Sequence, residues 1–148
     1  MTSRADDTVS PDRRVRTIFL GSGPFAVTIL RALAALPAVV IVAVIAPPDR
    51  PTGRKRLAVP VPVAAEARRL GLNLFQPERI RAAEAVAAIA GLAPDLGILA
   101  DFGRLIPPAI LDLPRAGILN VHPSLLPRHR GATPIQGTIL AGDADAGV

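Results

Sequence analysis

The chain has 148 residues, half of them hydrophobic, with a mean hydropathy of +0.41 and no cysteine. That is length enough for one domain with a buried core. The cysteine count excludes a disulfide-built scaffold, and the longest apolar run, Ala38–Ala46, is strand length and far too short for a membrane helix. The net charge of +5 and the pI of about 11.4 rest on arginine, Lys55 being the only lysine. Such a bias says little about partners, and only the local clustering of charge is informative.

Met1–Arg14 is polar and charged and lacks the apolar core of a signal peptide, which predicts a disordered tail and a cytoplasmic protein. Val15–Leu20 is a β-branched and aromatic run, followed by the turn Gly21-Ser22-Gly23-Pro24. Pro24 suits a first helical position, where its missing N–H costs nothing. Phe25, Ile29, Leu30, Leu33 and Leu36 recur at helical spacing, and Pro37 ends that helix. Ala38–Ala46 is apolar on both faces, as an interior parallel strand must be. Pro47–Pro62 is a loop with five prolines and a basic centre. Val63–Leu70 predicts a helix stopped by Gly71, and Leu72–Phe75 a short strand. Glu78–Ala90 predicts a helix closed by Gly91, and Asp95–Ala100 a buried strand. Ile106–Leu113 predicts a short helix, Gly117–Val121 a strand, His122–Gly131 a loop and Ala132–Leu140 a last helix.

Strands alternating with helices make an α/β protein with a doubly wound, parallel, Rossmann-like sheet, here one domain over residues 15–148. Such sheets bind ligands outside the carboxyl ends of their strands. Three features fall there: the glycine turn, the segment after Ala100, and Asn120 with His122. Gly21-Ser22-Gly23-Pro24-Phe25-Ala26 matches the dinucleotide fingerprint G-x-G-x-x-A in the right context. The acid that should end the second strand and hold a ribose is absent, because that strand runs into Ala46-Pro47-Pro48. A tight strand-to-helix turn explains the glycines equally well.

Asn120 and His122 flank Val121 at a strand end, so period 2 turns both polar side chains to one face. An amide donor beside an imidazole can hold a developing oxyanion and move a proton. On its own the pair is a weak signal, since a histidine at a strand end is more often a hydrogen-bonded structural residue than a catalyst. The whole run Asn120–Gln136, with Asn-x-His followed by Ser-Leu-Leu-Pro, resembles the signature of the formyltransferases that use 10-formyltetrahydrofolate. Within them, Pro127–Ala132, Pro134-Ile135-Gln136, Gly142-Asp143 and Gly147-Val148 are similar to the branch that formylates methionyl-initiator tRNA. Gly21–Ala26, Pro48–Arg54, Phe75–Pro77 and Ala100–Pro107 match in the same order.

The resemblance implies transfer of a formyl group from the folate N10 to the α-amine of the methionyl ester, with no metal and no covalent intermediate. Asn120 and His122 would be the catalytic pair. The folate would lie against Phe102, Gly103, Leu105 and Ile106, and against Ser124, Leu125, Leu126 and Pro127. Ordinary core packing is the competing explanation for Phe102, Leu105 and Ile106. Arg50, Arg54, Lys55 and Arg56 would hold tRNA phosphates, as loops of this kind do in that branch, whereas a solvated charge run is the plainer alternative. His129 departs from the pattern, which often has an aromatic residue there. The resemblance implies a monomer, no membrane, and a third catalytic group, an aspartate, beyond Val148. The expectation is therefore a fragment with little or no activity, and a sheet incomplete at its C-terminus. The alternatives are a small-molecule formyltransferase or formyl-folate hydrolase of the same fold, and a non-catalytic folate- or RNA-binding remnant.

Overall fold

Residues 14–52 and 57–148 are described by a computed structural model. The segment expected to be a tail, Arg14 apart, lies outside the described residues, as do Arg54, Lys55 and Arg56. The apolar runs pair as parallel strands. β1 (Val15–Gly21) is followed by α1 (Pro24–Ala34), β2 (Val39–Ile45), the short strands β3 (Arg50–Thr52) and β4 (Leu57–Val59), α2 (Pro62–Arg69) and β5 (Leu74–Phe75). Then come α3 (Ala83–Gly91), β6 (Leu96–Ala100), α4 (Pro108–Leu111), β7 (Ile118–Asn120) and α5 (Pro134–Ala141). Five strands form one parallel sheet in the order β5-β2-β1-β6-β7. The chain moves outward from β1 to β5, then returns through α3 to β6 on the other side of β1. This reversal opens a crevice at the carboxyl ends of β1 and β6.

β1 is buried on both faces, and its alternation sorts the core into two layers. Phe19 packs with Leu30 and Leu33 of α1 and with Val63, Ala64 and Ala67 of α2. Ile18 and Leu20 point the other way, into a layer with Ile89 of α3 and Ile110 of α4. The sheet is therefore doubly wound, as the alternating runs imply. β2 lies between β5 and β1, parallel to both, as its two-faced apolarity requires. Pro24 begins α1, whose buried stripe is Ala26, Leu30 and Leu33. Leu36 lies past the helix end and is 52% exposed.

Other expectations are corrected. The Pro47–Pro62 segment is not loop throughout. β3 and β4 pair antiparallel, with Arg50 opposite Val59 and Thr52 opposite Leu57. The helix expected over Glu78–Ala90 begins only at Ala83, because the chain first turns, Ala82 N–H donating to Arg79 O, and sends Ile80 into the core. Gly91 stays helical, and Ala93 takes the left-handed conformation beyond it (φ +44°). The helices near the ends are shortened by proline, which starts α4 at Pro108 and α5 at Pro134. Among the described residues, no helix is long and apolar enough to cross a membrane.

Glu66 ties α2 to α1. Its side chain is 6% exposed and receives two bidentate forks, from Arg31 at 2.8 and 3.0 Å and from Arg69 at 2.6 and 3.1 Å. Hydrogen bonds from Arg31 and then Arg69 outweigh burial and hold the carboxyl far below the usual carboxylate range. A carboxyl whose pKa is depressed on folding stabilises the fold above its unfolded pKa, and that contribution is lost as pH falls towards the folded value. Glu66→Gln should therefore lower stability in urea melts at neutral pH. The gap to the native chain should narrow as pH drops below about 4.3, the ordinary glutamate value. An unchanged gap at acidic pH would mean that the cost is steric.

Glycine is required at one turn position by close packing. A Cβ on Gly21 would lie 2.7 Å from Cε1 of Phe19, 2.9 Å from Cβ of Ala26 and 3.1 Å from the carbonyl oxygen of Ala100. None of these can swing aside. The nearest atoms to a Cβ on Gly23 would be those of the Asp101 carboxylate, the far end of a side chain. Gly21→Ala should cost about 1–3 kcal/mol by overpacking. Gly23→Ala should cost clearly less in the same denaturation assay, and the reverse order would contradict this packing.

Candidate functional site

Register brings the polar residues together. β7 lies beside β6 with Asn120 opposite Leu99, and Val121 N–H continues the ladder to Leu99 O at 2.8 Å. Asn120 and His122 consequently line one open cleft of about 640 Å³. The segment Asp101–Leu105 and the start of α5 form its other walls. The Nε2 of His122 lies 3.0 Å from the backbone oxygen of His129. A carbonyl only accepts, so Nε2 carries a hydrogen, and in the neutral ring the lone pair belongs to Nδ1.

The loop behind this pair is stapled by its own polar groups. Ser124 is 2% exposed; its N–H donates to His122 O and its Oγ to Arg128 O, each at 2.8 Å. Asp143, just past α5, accepts from Arg128 and, at 2.6 Å, from Nε2 of His129. The His129 hydrogen bond, with that of Arg128, outweighs burial and holds the Asp143 carboxyl below its ordinary range.

The residues singled out from the sequence for folate divide into two groups. Phe102, Gly103 and Leu105 border the cleft. Phe102 is also buried in the core layer with Ile89 of α3 and Ile110 of α4, whereas Leu105 is 93% exposed. Ile106 packs against that core layer and is not part of the cleft wall. Ser124, Leu125, Leu126 and Pro127 also stand outside the wall, because the staple turns Ser124 inward and leaves Leu125 and Leu126 on the outer surface. For tRNA, Arg50 begins β3, while Arg54, Lys55 and Arg56 lie outside the described residues. The polar side chains of Asp101, Arg104 and Gln136 also line the cleft; the resemblance implies pterin contacts along Ala100–Ile106 largely through backbone and apolar groups, and gives these three side chains no individual role. For Asp101 a signal exists: an acid directly after a strand at the point where the strand order reverses.

The glycine turn is occupied by protein. The carbonyl of Asp101 accepts from Ser22 N–H at 3.0 Å, from Gly23 N–H at 3.4 Å and from the Ser22 hydroxyl. Asp101 reaches this position with a left-handed backbone (φ +44°). Those N–H groups are the donors a pyrophosphate would need. The Asp101 carboxylate, its pKa raised by burial, also packs on Gly23. The turn therefore braces β1 against β6, and the dinucleotide reading fails.

The base of the β3–β4 arm is closed by Asp49. Its Oδ1 accepts from Val61 N–H and from Gln76 Nε2, both at 3.0 Å, and its Oδ2 from Arg68 at 2.9 Å. Burial pushes this carboxyl up, but the hydrogen bonds of Gln76, Val61 and Arg68 outweigh it and leave it below the usual range. Hydrogen bonds to charged groups contribute about 1.5–3 kcal/mol. Asp49→Ala should thus speed hydrogen exchange of the Val61 amide by about tenfold or more. Unchanged protection would show that the arm's base is held by packing alone.

Comparison with known proteins gives the family and the fold. The family model described as formyl transferase matches residues 13–148. A methionyl-tRNA formyltransferase of Dehalococcoides mccartyi is 47% identical over 134 residues, covering 90% of this chain and 43% of that protein. One from Roseiflexus sp. is 46% identical over 134 residues, covering 90% and 41%. The chain thus spans less than half the length of these relatives. Among solved structures, a glycinamide ribonucleotide transformylase from Symbiobacterium toebii superposes with a TM-score of 0.67 at 25% identity, over 98% of this chain and 68% of that one. A phosphoribosylglycinamide formyltransferase from Bacillus halodurans does so with a TM-score of 0.63 at 21% identity, over 85% and 65%, and shows the fold alone.

Proposed function

The chain belongs to the formyl transferase family, and from that membership we propose that it is the formyl-transferring part of an enzyme acting on methionyl-initiator tRNA. The donor is 10-formyltetrahydrofolate, a co-substrate rather than a resident cofactor, and the setting is the cytoplasm. The observation that carries the reading is the shared cleft of Asn120 and His122 at the carboxyl ends of the strands. Identity near 47% to enzymes of that name supports the acceptor.

In the reaction the acceptor amine attacks the formyl carbon. The new C–N bond forms, the carbonyl oxygen gathers negative charge, and the bond to N10 then breaks. The amine loses one proton and N10 gains one. Asn120 donates its amide N–H to the oxyanion, and His122 uses Nδ1 for proton movement, since Nε2 is engaged with His129 O. Phe102, Gly103 and Leu105 offer an apolar wall to a flat heterocycle. The arm carrying Arg50, Arg54, Lys55 and Arg56 supplies cations for an RNA end. In this reading the third group, an aspartate, belongs to the part by which the longer relatives exceed this segment.

The test is formylation of methionyl-initiator tRNA by this chain and by a version extended with the C-terminal part of the Dehalococcoides relative. The extended version should be the active one. In it, Asn120→Ala and His122→Ala should each lower kcat by on the order of 10²–10³-fold. Equal formylation of glycinamide ribonucleotide would remove the tRNA assignment. Full activity in both variants would remove the site.

A further inference from the structure

The hydrogen bond that orients His122 ends on a backbone atom, and that atom is itself held by side chains. His129 has a left-handed backbone (φ +52°), uncommon for a residue with a Cβ. Two contacts keep it there. Its ring Nε2 donates to Oδ2 of Asp143 at 2.6 Å, a carboxylate only 9% exposed. The other side of the ring rests on α5 at Gly137, where a Cβ would come within 2.9 Å of Nδ1. Arg128, next in the chain, also donates to Asp143, and its carbonyl takes the Ser124 hydroxyl. The His129 carbonyl therefore points at His122 because the His129 ring is anchored from the far side.

We propose that Asp143, acting through His129, is a positioning residue for His122. The carboxylate anchors the His129 ring, the anchored ring keeps residue 129 left-handed, and that backbone aims its carbonyl at His122 Nε2. The consequence is a single tautomer: Nε2 stays protonated and the lone pair of the neutral ring is on Nδ1. The inference deepens the reading of His122 as a site residue and rests on it for its functional meaning. It gives the loop its own means of orienting the imidazole, separate from any further acid. Asp143 touches neither the cleft nor a reacting atom, so its effect is on orientation.

The chain holds two histidines only, which makes the tautomer directly readable. Long-range proton–nitrogen NMR on the native chain should show His122 as the Nε2–H form near neutral pH. Asp143→Ala and His129→Phe should each convert it to an averaged mixture of tautomers. Arg128→Ala, which leaves the Asp143–His129 pair in place, should not. Asp143→Asn, which keeps size and an acceptor oxygen, should restore the Nε2–H form at least partly, and it reports in place of Asp143→Ala if that variant does not fold. If His122 remains wholly Nε2–H in both Asp143→Ala and His129→Phe, the loop sets its own backbone and the proposal is wrong. In the extended enzyme, Asp143→Ala should lower kcat by up to about a hundredfold with KM for tRNA unchanged. A tautomer shift with His122→Ala fully active would leave the positioning intact and remove only the functional reading.

Discussion

From Thr17 onward β1 is buried on both faces: Ile18, Phe19 and Leu20 are all fully buried. A strand of this kind must have a strand on each side and a helix layer above and below. Those four neighbours are β2, β6, the α1–α2 layer and the α3–α4 layer. The chain can supply them only by going out on one side and returning on the other. The reversal that opens the cleft therefore follows from the burial of one strand from Thr17 to Gly21. The close approach at Gly21, between Phe19, Ala26 and the carbonyl of Ala100, is the local price of that arrangement.

Around the cleft, backbone atoms do much of the positioning. The Asp101 carbonyl takes three donors of the glycine turn, and the His129 carbonyl takes the ring of His122. Both carbonyls belong to residues with left-handed φ. Non-glycine residues adopt this conformation when the surroundings over-determine it. At His129 the surroundings are Asp143 and the bare α-carbon of Gly137. The outer surface of the same region is apolar: Leu119, Ile139 and Leu140 are exposed along β7 and α5.

Much of this fold is legible from the residues. The two-faced run Val39–Ile45, the β-branched and aromatic run of β1 and the proline start of α1 all follow from local chemistry. Asn120 and His122 share a face because the strand period is two. The misreadings came where a distant partner intervened. Glu78–Ala82 has helical composition, but burying Ile80 in the core turned the chain first. Pro47–Pro62 has the composition of a loop, and the pairing of Arg50 with Val59 made a short hairpin of its middle. Leu125 and Leu126, in the signature string, are exposed beside the stapled Ser124 and lie outside the cleft wall.

The sequence by itself determined the alternating strands and helices, the family, and the residues at the strand ends, since these depend on periodicity and on motifs within a few residues. Only the tertiary structure decided which of those residues meet. Ser22 and Asp101 are 79 positions apart. Asp49 and Gln76 are 27 apart, and His129 and Asp143 are 14 apart. No local preference links such partners. They meet because strand order and register fix where each strand ends, and an offset of a few ångströms would break hydrogen bonds near 3 Å.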